Sequence, residues 1–126
     1  LIVFPDAEAL ALAHLRGALP ILRCGTELPA VADGRMFLVV GRTGGSMTWP
    51  VLDTAALDLE VWGPDRAEAH DALQAALGAL LALDSQPGPI ASVRVTSAPQ
   101  YAPDAITGEP RWLASIDLAT RATRSE

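Results

Sequence analysis

Between Thr54 and Leu83 the hydrophobic pattern of this chain changes period, and that change limits the folds open to it. Over 54–62 the residues alternate. Leu57, Leu59 and Val61 fall on one side and Asp58, Glu60 and Trp62 on the other, the two-residue repeat of a strand with one wet face. Gly63-Pro64-Asp65 interrupts the repeat, and Asp65 is placed to cap a helix. From 66 to about 83, Ala69, Leu73, Ala76, Leu77, Leu80 and Leu81 recur at helical spacing, with Glu68, Asp71 and Gln74 outside the stripe. A one-faced strand followed by a one-faced helix must bury both apolar faces in a shared core.

The other elements extend this scheme. A first helix is expected over 7–19, capped by Asp6, with Leu12, Leu15 and Leu19 on one face, Leu10 widening it, and Pro20 ending it. Strands follow over 21–28 and 35–41, separated by a turn at 30–34. Cys24 is expected in a buried strand position. A glycine-rich loop over 42–46 then leads to a Trp49-Pro50 corner. Two late strands are expected over 90–98 and 112–121. The order is α-β-β-β-α-β-β, which favours an α+β fold over a parallel α/β one. We expect a single α+β domain over 1–122, with 123–126 a frayed tail. Its core is a largely antiparallel four- to five-stranded sheet with both helices packed on one face. With 126 residues, 50% hydrophobic and 19% charged, such a domain can bury a core without disulfides or metals.

A search for chemistry returns little. The net charge is −6 and all nine basic residues are arginine, which weighs against a nucleic-acid grip and excludes lysine Schiff-base chemistry. Cys24 is the single cysteine, so no internal disulfide is possible. The apolar runs are short or broken by charge, and Leu1–Phe4 lacks a basic leader, so neither a membrane span nor a signal peptide is expected. The segment 41–46 follows a strand as a phosphate loop would, yet it has no lysine and opens no helix. His14 and His70 are isolated, and the adjacent His70 and Asp71 are not expected to share a helix face. Asp58 and Glu60 fit a solvated strand face. No catalytic, cofactor-binding or metal-binding residue is therefore assigned, and a small-ligand-binding domain stays the minor alternative.

What stands out instead is the connection 99–112, PQYAPDAITGEPRW. It is longer than a tight hairpin needs and carries Pro99, Pro103 and Pro110. Such loops are commonly functional. Asp104, Thr107, Gly108, Glu109, Arg111 and Trp112 become candidate partner-contact residues, together with Arg42, Thr43, Gly44 and Gly45 of the glycine segment. Trp49, Trp62 and Trp112 each sit where strand meets loop, as core plugs or as interface anchors.

Several segments, taken in order, carry a family likeness. They are Val3-Phe4-Pro5-Asp6 before the first helix, Val39–Gly45, and 57–62 leading into Ala67-Glu68-Ala69-His70-Asp71. The last are Pro103-Asp104 and Thr107-Gly108-Glu109-Pro110-Arg111-Trp112. In these the chain resembles the tail terminator, or tail-completion, proteins of long-tailed bacteriophages, especially those of actinobacteria. The resemblance implies a small α+β fold and a non-enzymatic virion protein without cofactors. It further implies a ring, usually a hexamer, on the last layer of the tail tube. Its expected partners are other copies of itself, the tail tube protein and the head-tail connector or stopper. DNA would only pass through the channel, and no membrane is involved. Another neck protein, a stopper or adaptor, is the near alternative. The place implied is the head-tail junction of the virion, after assembly in the host cytoplasm.

Overall fold

A computed structural model describes residues 1–29 and 35–124; the turn expected at 30–34 lies outside the described residues. The elements are β1 (Ile2–Val3), α1 (Ala7–Ala18), β2 (Arg23–Gly25), β3 (Phe37–Thr48), β4 (Leu52–Trp62), α2 (Arg66–Leu81), β5 (Ile90–Tyr101), β6 (Arg111–Arg121) and β7 (Thr123–Arg124). Strands β2 to β6 form one mixed sheet in the order β2-β3-β4-β6-β5. Its pairings are antiparallel except that of β2 with β3. Helix α1 packs against β2 and β3, α2 against β4, β5 and β6, and the helices touch each other. The α+β class is therefore as expected.

The period change in the sequence does the positioning. Ala55 and Leu57 of β4 stand opposite Leu118 and Ile116 of β6, and with Leu59 and Val61 they share one buried core with Leu12 and Leu15 of α1 and Leu73 and Leu80 of α2. Opposite residues of an antiparallel pair share a face, so Asp58 and Glu60 turn away from the helices. Asp6 caps α1 by accepting from the Ala9 amide, and Asp65 caps α2 by accepting from Ala67 and Glu68. Across the helix pair, His14 Nε2 donates to the Ala79 carbonyl at 2.8 Å.

Five expectations change. The strand at 21–28 shrinks to Arg23–Gly25, because Leu22 donates back to the Leu19 carbonyl and the chain is still turning out of α1 there. Cys24 lies in this short strand, only partly buried. The glycine-rich segment is not a loop: β3 runs through it to Thr48, paired with β4 across a bulge between Arg42 and Gly44. Strand β5 continues past Ala98 through Pro99 to Tyr101. As the edge strand, it can present a proline's missing N–H to solvent without losing a ladder bond. Thr123 and Arg124, expected to fray, pair with Val3 and Ile2. The Thr123 hydroxyl adds a bond to the Val3 carbonyl.

Candidate functional site

The first candidate segment, Arg42–Gly45, lies on β3 beside the start of α1. Arg42 points to the helix side, where Nη1 and Nη2 donate to Asp53 at 2.9 and 2.8 Å. Its Nε donates to the Gly44 carbonyl at 3.0 Å, and its backbone N–H donates to Glu8 Oε2 at 2.6 Å. Asp53 is only 4% exposed. Hydrogen bonds from Arg42 hold its carboxyl below the usual carboxylate range, against the opposing effect of burial. The same contact raises the Arg42 guanidinium. The bidentate fork is the geometry for which arginine suits a carboxylate better than lysine. The glycines answer to backbone geometry. Gly44 and Gly45 adopt φ of +133° and +128°, and a Cβ on Gly45 would lie 2.0 Å from the Thr54 carbonyl oxygen.

The second candidate segment is ordered by its own side chains. The β5–β6 connection occupies 102–110, closed at its base where Ala102 donates to the Arg111 carbonyl. Asp104 accepts from the Ile106 amide at 3.3 Å and the Thr107 hydroxyl at 2.8 Å. The Thr107 hydroxyl in turn accepts from Glu109 N–H, and Gly108, at φ +71°, donates to the Asp104 carbonyl. This is a side-chain-built turn of the kind aspartate favours. The Thr107 hydroxyl, then the Ile106 amide, depress the Asp104 carboxyl. Arg111 Nε donates to the Ala102 carbonyl at 2.8 Å while its guanidinium lies 5.1 Å from the Trp62 ring centre. Trp112 donates from Nε1 to the Arg66 carbonyl at 2.9 Å and packs edge-on against His70 and tilted against Tyr101. Arg66 covers the Tyr101 ring at 4.0 Å.

Trp62 and Trp112 are thus built into the fold. Trp49 is different. It stands at the tip of the β3–β4 hairpin, 62% exposed, and Val51 donates to the Thr48 carbonyl across the turn containing the cis Trp49–Pro50 peptide. Met47 and Val51 beside it are also exposed, and Phe4 supports the indole edge-on at 5.9 Å. In the sequence Trp49 stands both as the residue of the Trp49-Pro50 corner and among three tryptophans at strand ends. Its signal was a tryptophan in a corner, flanked by apolar residues that no periodic pattern assigns to the core.

Among the described residues no group of three or more His, Cys, Asp or Glu comes together as a metal site. His70 Nδ1 lies 3.2 Å from Asp71 Oδ1, an exposed contact between chain neighbours on α2. Asp58 accepts from Ser115 and Glu60 from Trp62 Nε1, on the face of the sheet turned away from the helices. No helix among the described residues is long and apolar enough to cross a membrane.

The geometry defines a small α+β protein whose conspicuous features are two shaped surface segments and an apolar hairpin tip. Among solved structures, the chain is similar to the gp17 protein of bacteriophage SPP1, with a TM-score of 0.51 and 18% identity. The match covers 94% of this chain and 89% of that one. At that identity the likeness is one of fold. No family model matches the chain, and no curated protein matches it.

Proposed function

We propose that this protein is a structural component of a bacteriophage tail, acting as the terminator ring that caps the tail tube and ends its growth. In this role it would present the surface on which the head connector docks. The observation that carries the reading is the end-to-end likeness of fold to a bacteriophage protein. The motif resemblance along the sequence supports it independently.

In this reading copies of the chain meet in a closed ring, a hexamer, by heterologous contacts that use two different surfaces of each subunit. Thr107, Gly108 and Glu109 at the outer turn of the 102–110 connection face a neighbouring protein. Asp104, Arg111 and Trp112 hold that turn in shape, as Arg42 and the two glycines hold the hairpin. Side-chain bonds within the turn reduce the entropy lost on docking. The net charge of −6 suits a channel that DNA crosses without sticking, because phosphate is repelled.

Electron microscopy of particles made without this protein tests the proposal. Tails of uncontrolled length that fail to join heads are expected; tails of normal length, normally joined, would refute it. Labelling on the portal-side ring in place of the tube end would assign the chain to a stopper or adaptor.

A further inference from the structure

Ile106 stands at the outer turn of the 102–110 connection with 93% of its surface exposed. Turns favour glycine, proline, aspartate and serine, whereas a β-branched residue prefers a strand. The isoleucine is neither part of the hydrophobic core nor packed against it. Single exposed apolar residues are ordinary on protein surfaces. What sets this one apart is the turn that carries it and the charge around it.

The turn is held by bonds of its own. Asp104 N–H donates to the Glu109 carbonyl and Gly108 N–H to the Asp104 carbonyl, at 3.0 and 2.8 Å. The Asp104 carboxylate accepts from the Ile106 amide and from the Thr107 hydroxyl. The backbone on both sides of Ile106 is therefore fixed while its side chain stands in solvent. An apolar group offered in this way, on a side chain with few rotamers, loses little freedom when it is buried by a partner.

This end of the sheet is also acidic. Asp104 and Glu109 belong to the turn itself. The Gly63 amide donates to the Pro110 carbonyl, which brings Gly63-Pro64-Asp65 beside the connection, with Glu68 following in the first turn of α2. The cations here, Arg66 and Arg111, lie against the Tyr101 and Trp62 rings at 4.0 and 5.1 Å. An aliphatic side chain set among carboxylates is complementary to an apolar pocket with lysine or arginine on its rim. A second copy is a poor match, because this chain has no lysine and a net charge of −6, so like charges would meet. We propose that Ile106 is the anchor by which the 102–110 connection docks into an apolar, cation-rimmed pocket on a protein other than this chain. The inference rests on the tail reading above, and adds to it the contact residue and the chemistry of the partner.

The test adds the purified full chain to tails and to DNA-filled heads made without this protein, and follows co-sedimentation. The parent should bind one of these particles. Ile106→Asp should weaken that binding at least about tenfold, the effect of losing a buried aliphatic side chain, with an unchanged thermal melt because the position is exposed. Ile106→Leu, of similar volume, should bind close to the parent. Glu109→Arg should weaken binding, and added salt should weaken the parent's. An Ile106→Asp chain that binds as the parent does would overturn the inference and leave the tail reading standing. Binding indifferent both to salt and to Glu109→Arg would do the same. Self-association of the purified parent that Ile106→Asp abolishes would also overturn it, by making a second copy the occupant. A parent that binds neither particle overturns both readings.

Discussion

Replacing Arg42 by alanine should destabilise the fold and reverse the sign of Asp53's contribution to its pH dependence. Asp53 is nearly inaccessible, and both its oxygens accept from Arg42. Removing one partner of a fully buried pair costs about 3–5 kcal/mol, because the other charge is left uncompensated. The Arg42 side chain is 34% exposed, so water enters when it leaves, and the pair is partly screened from the outset. A loss of about 2 kcal/mol follows, or roughly 6–12 °C in Tm for a chain of this size. The sign of the pH dependence is the sharper test. In the parent the folded Asp53 pKa lies below the unfolded value of about 3.9. The pair's stabilisation is therefore fully present above about pH 4 and is lost as pH falls through the folded value. In Arg42→Ala only desolvation remains, which raises that pKa, so the contribution of Asp53 should now fall as pH rises through the unfolded value of about 3.9. Denaturation followed by tryptophan fluorescence at several pH values measures both. A loss under about 0.5 kcal/mol, with the parent's pH slope retained, would refute the assignment of Arg42 as the group that holds Asp53 ionised. Asp53→Asn serves as control, since it removes the titrating group and should flatten this contribution.

Gly45→Ala should be severe, because its Cβ would meet the Thr54 carbonyl oxygen at 2.0 Å at a φ of +128°. A loss above about 3 kcal/mol, or failure to fold, is expected in a thermal melt. Trp112→Phe keeps the ring stack and deletes the bond to the Arg66 carbonyl. About 1 kcal/mol should be lost, with the carbonyl turning to solvent. Asp104→Ala should leave global stability nearly unchanged while hydrogen exchange quickens at the Ile106 amide, which loses its carboxylate acceptor. In the parent, that amide's protection should weaken as pH falls through the depressed Asp104 pKa.

The parts of this fold that could be read from the sequence are those governed by periodicity and by caps. The helix after Asp65 and the apolar row of β4 followed from residue spacing alone, since nothing distant competes with a cap or with an alternating face. The extent of β3 and β5 did not follow. Pro99 and Gly44-Gly45 are breakers in isolation, and only the sheet order, which places Pro99 on an edge and Gly45 against Thr54, makes them strand residues. The candidate surfaces divide the same way. The turn built by Asp104 and Thr107 was visible as a long, polar, proline-bearing connection. That Arg42 reaches Asp53, and that Arg111 lies on Trp62, depends on cross-strand register, which a one-residue slip would invert. Which tryptophans are plugs stayed open in the sequence, because burial and not residue type decides it, and Trp49 alone of the three is largely exposed.

The small β1–β7 pair joins residues 120 apart in the chain. A contact of that sequence separation carries the largest loop-closure cost and the fewest bonds to offset it. It is therefore expected to form late in folding and, with exposed residues on both short strands, to be among the first places in the native state to open in hydrogen exchange. Because Phe4 follows β1 directly and props Trp49, opening this clip also loosens the indole. The clip between the two ends of the chain thus bears on the stance of the hairpin tip.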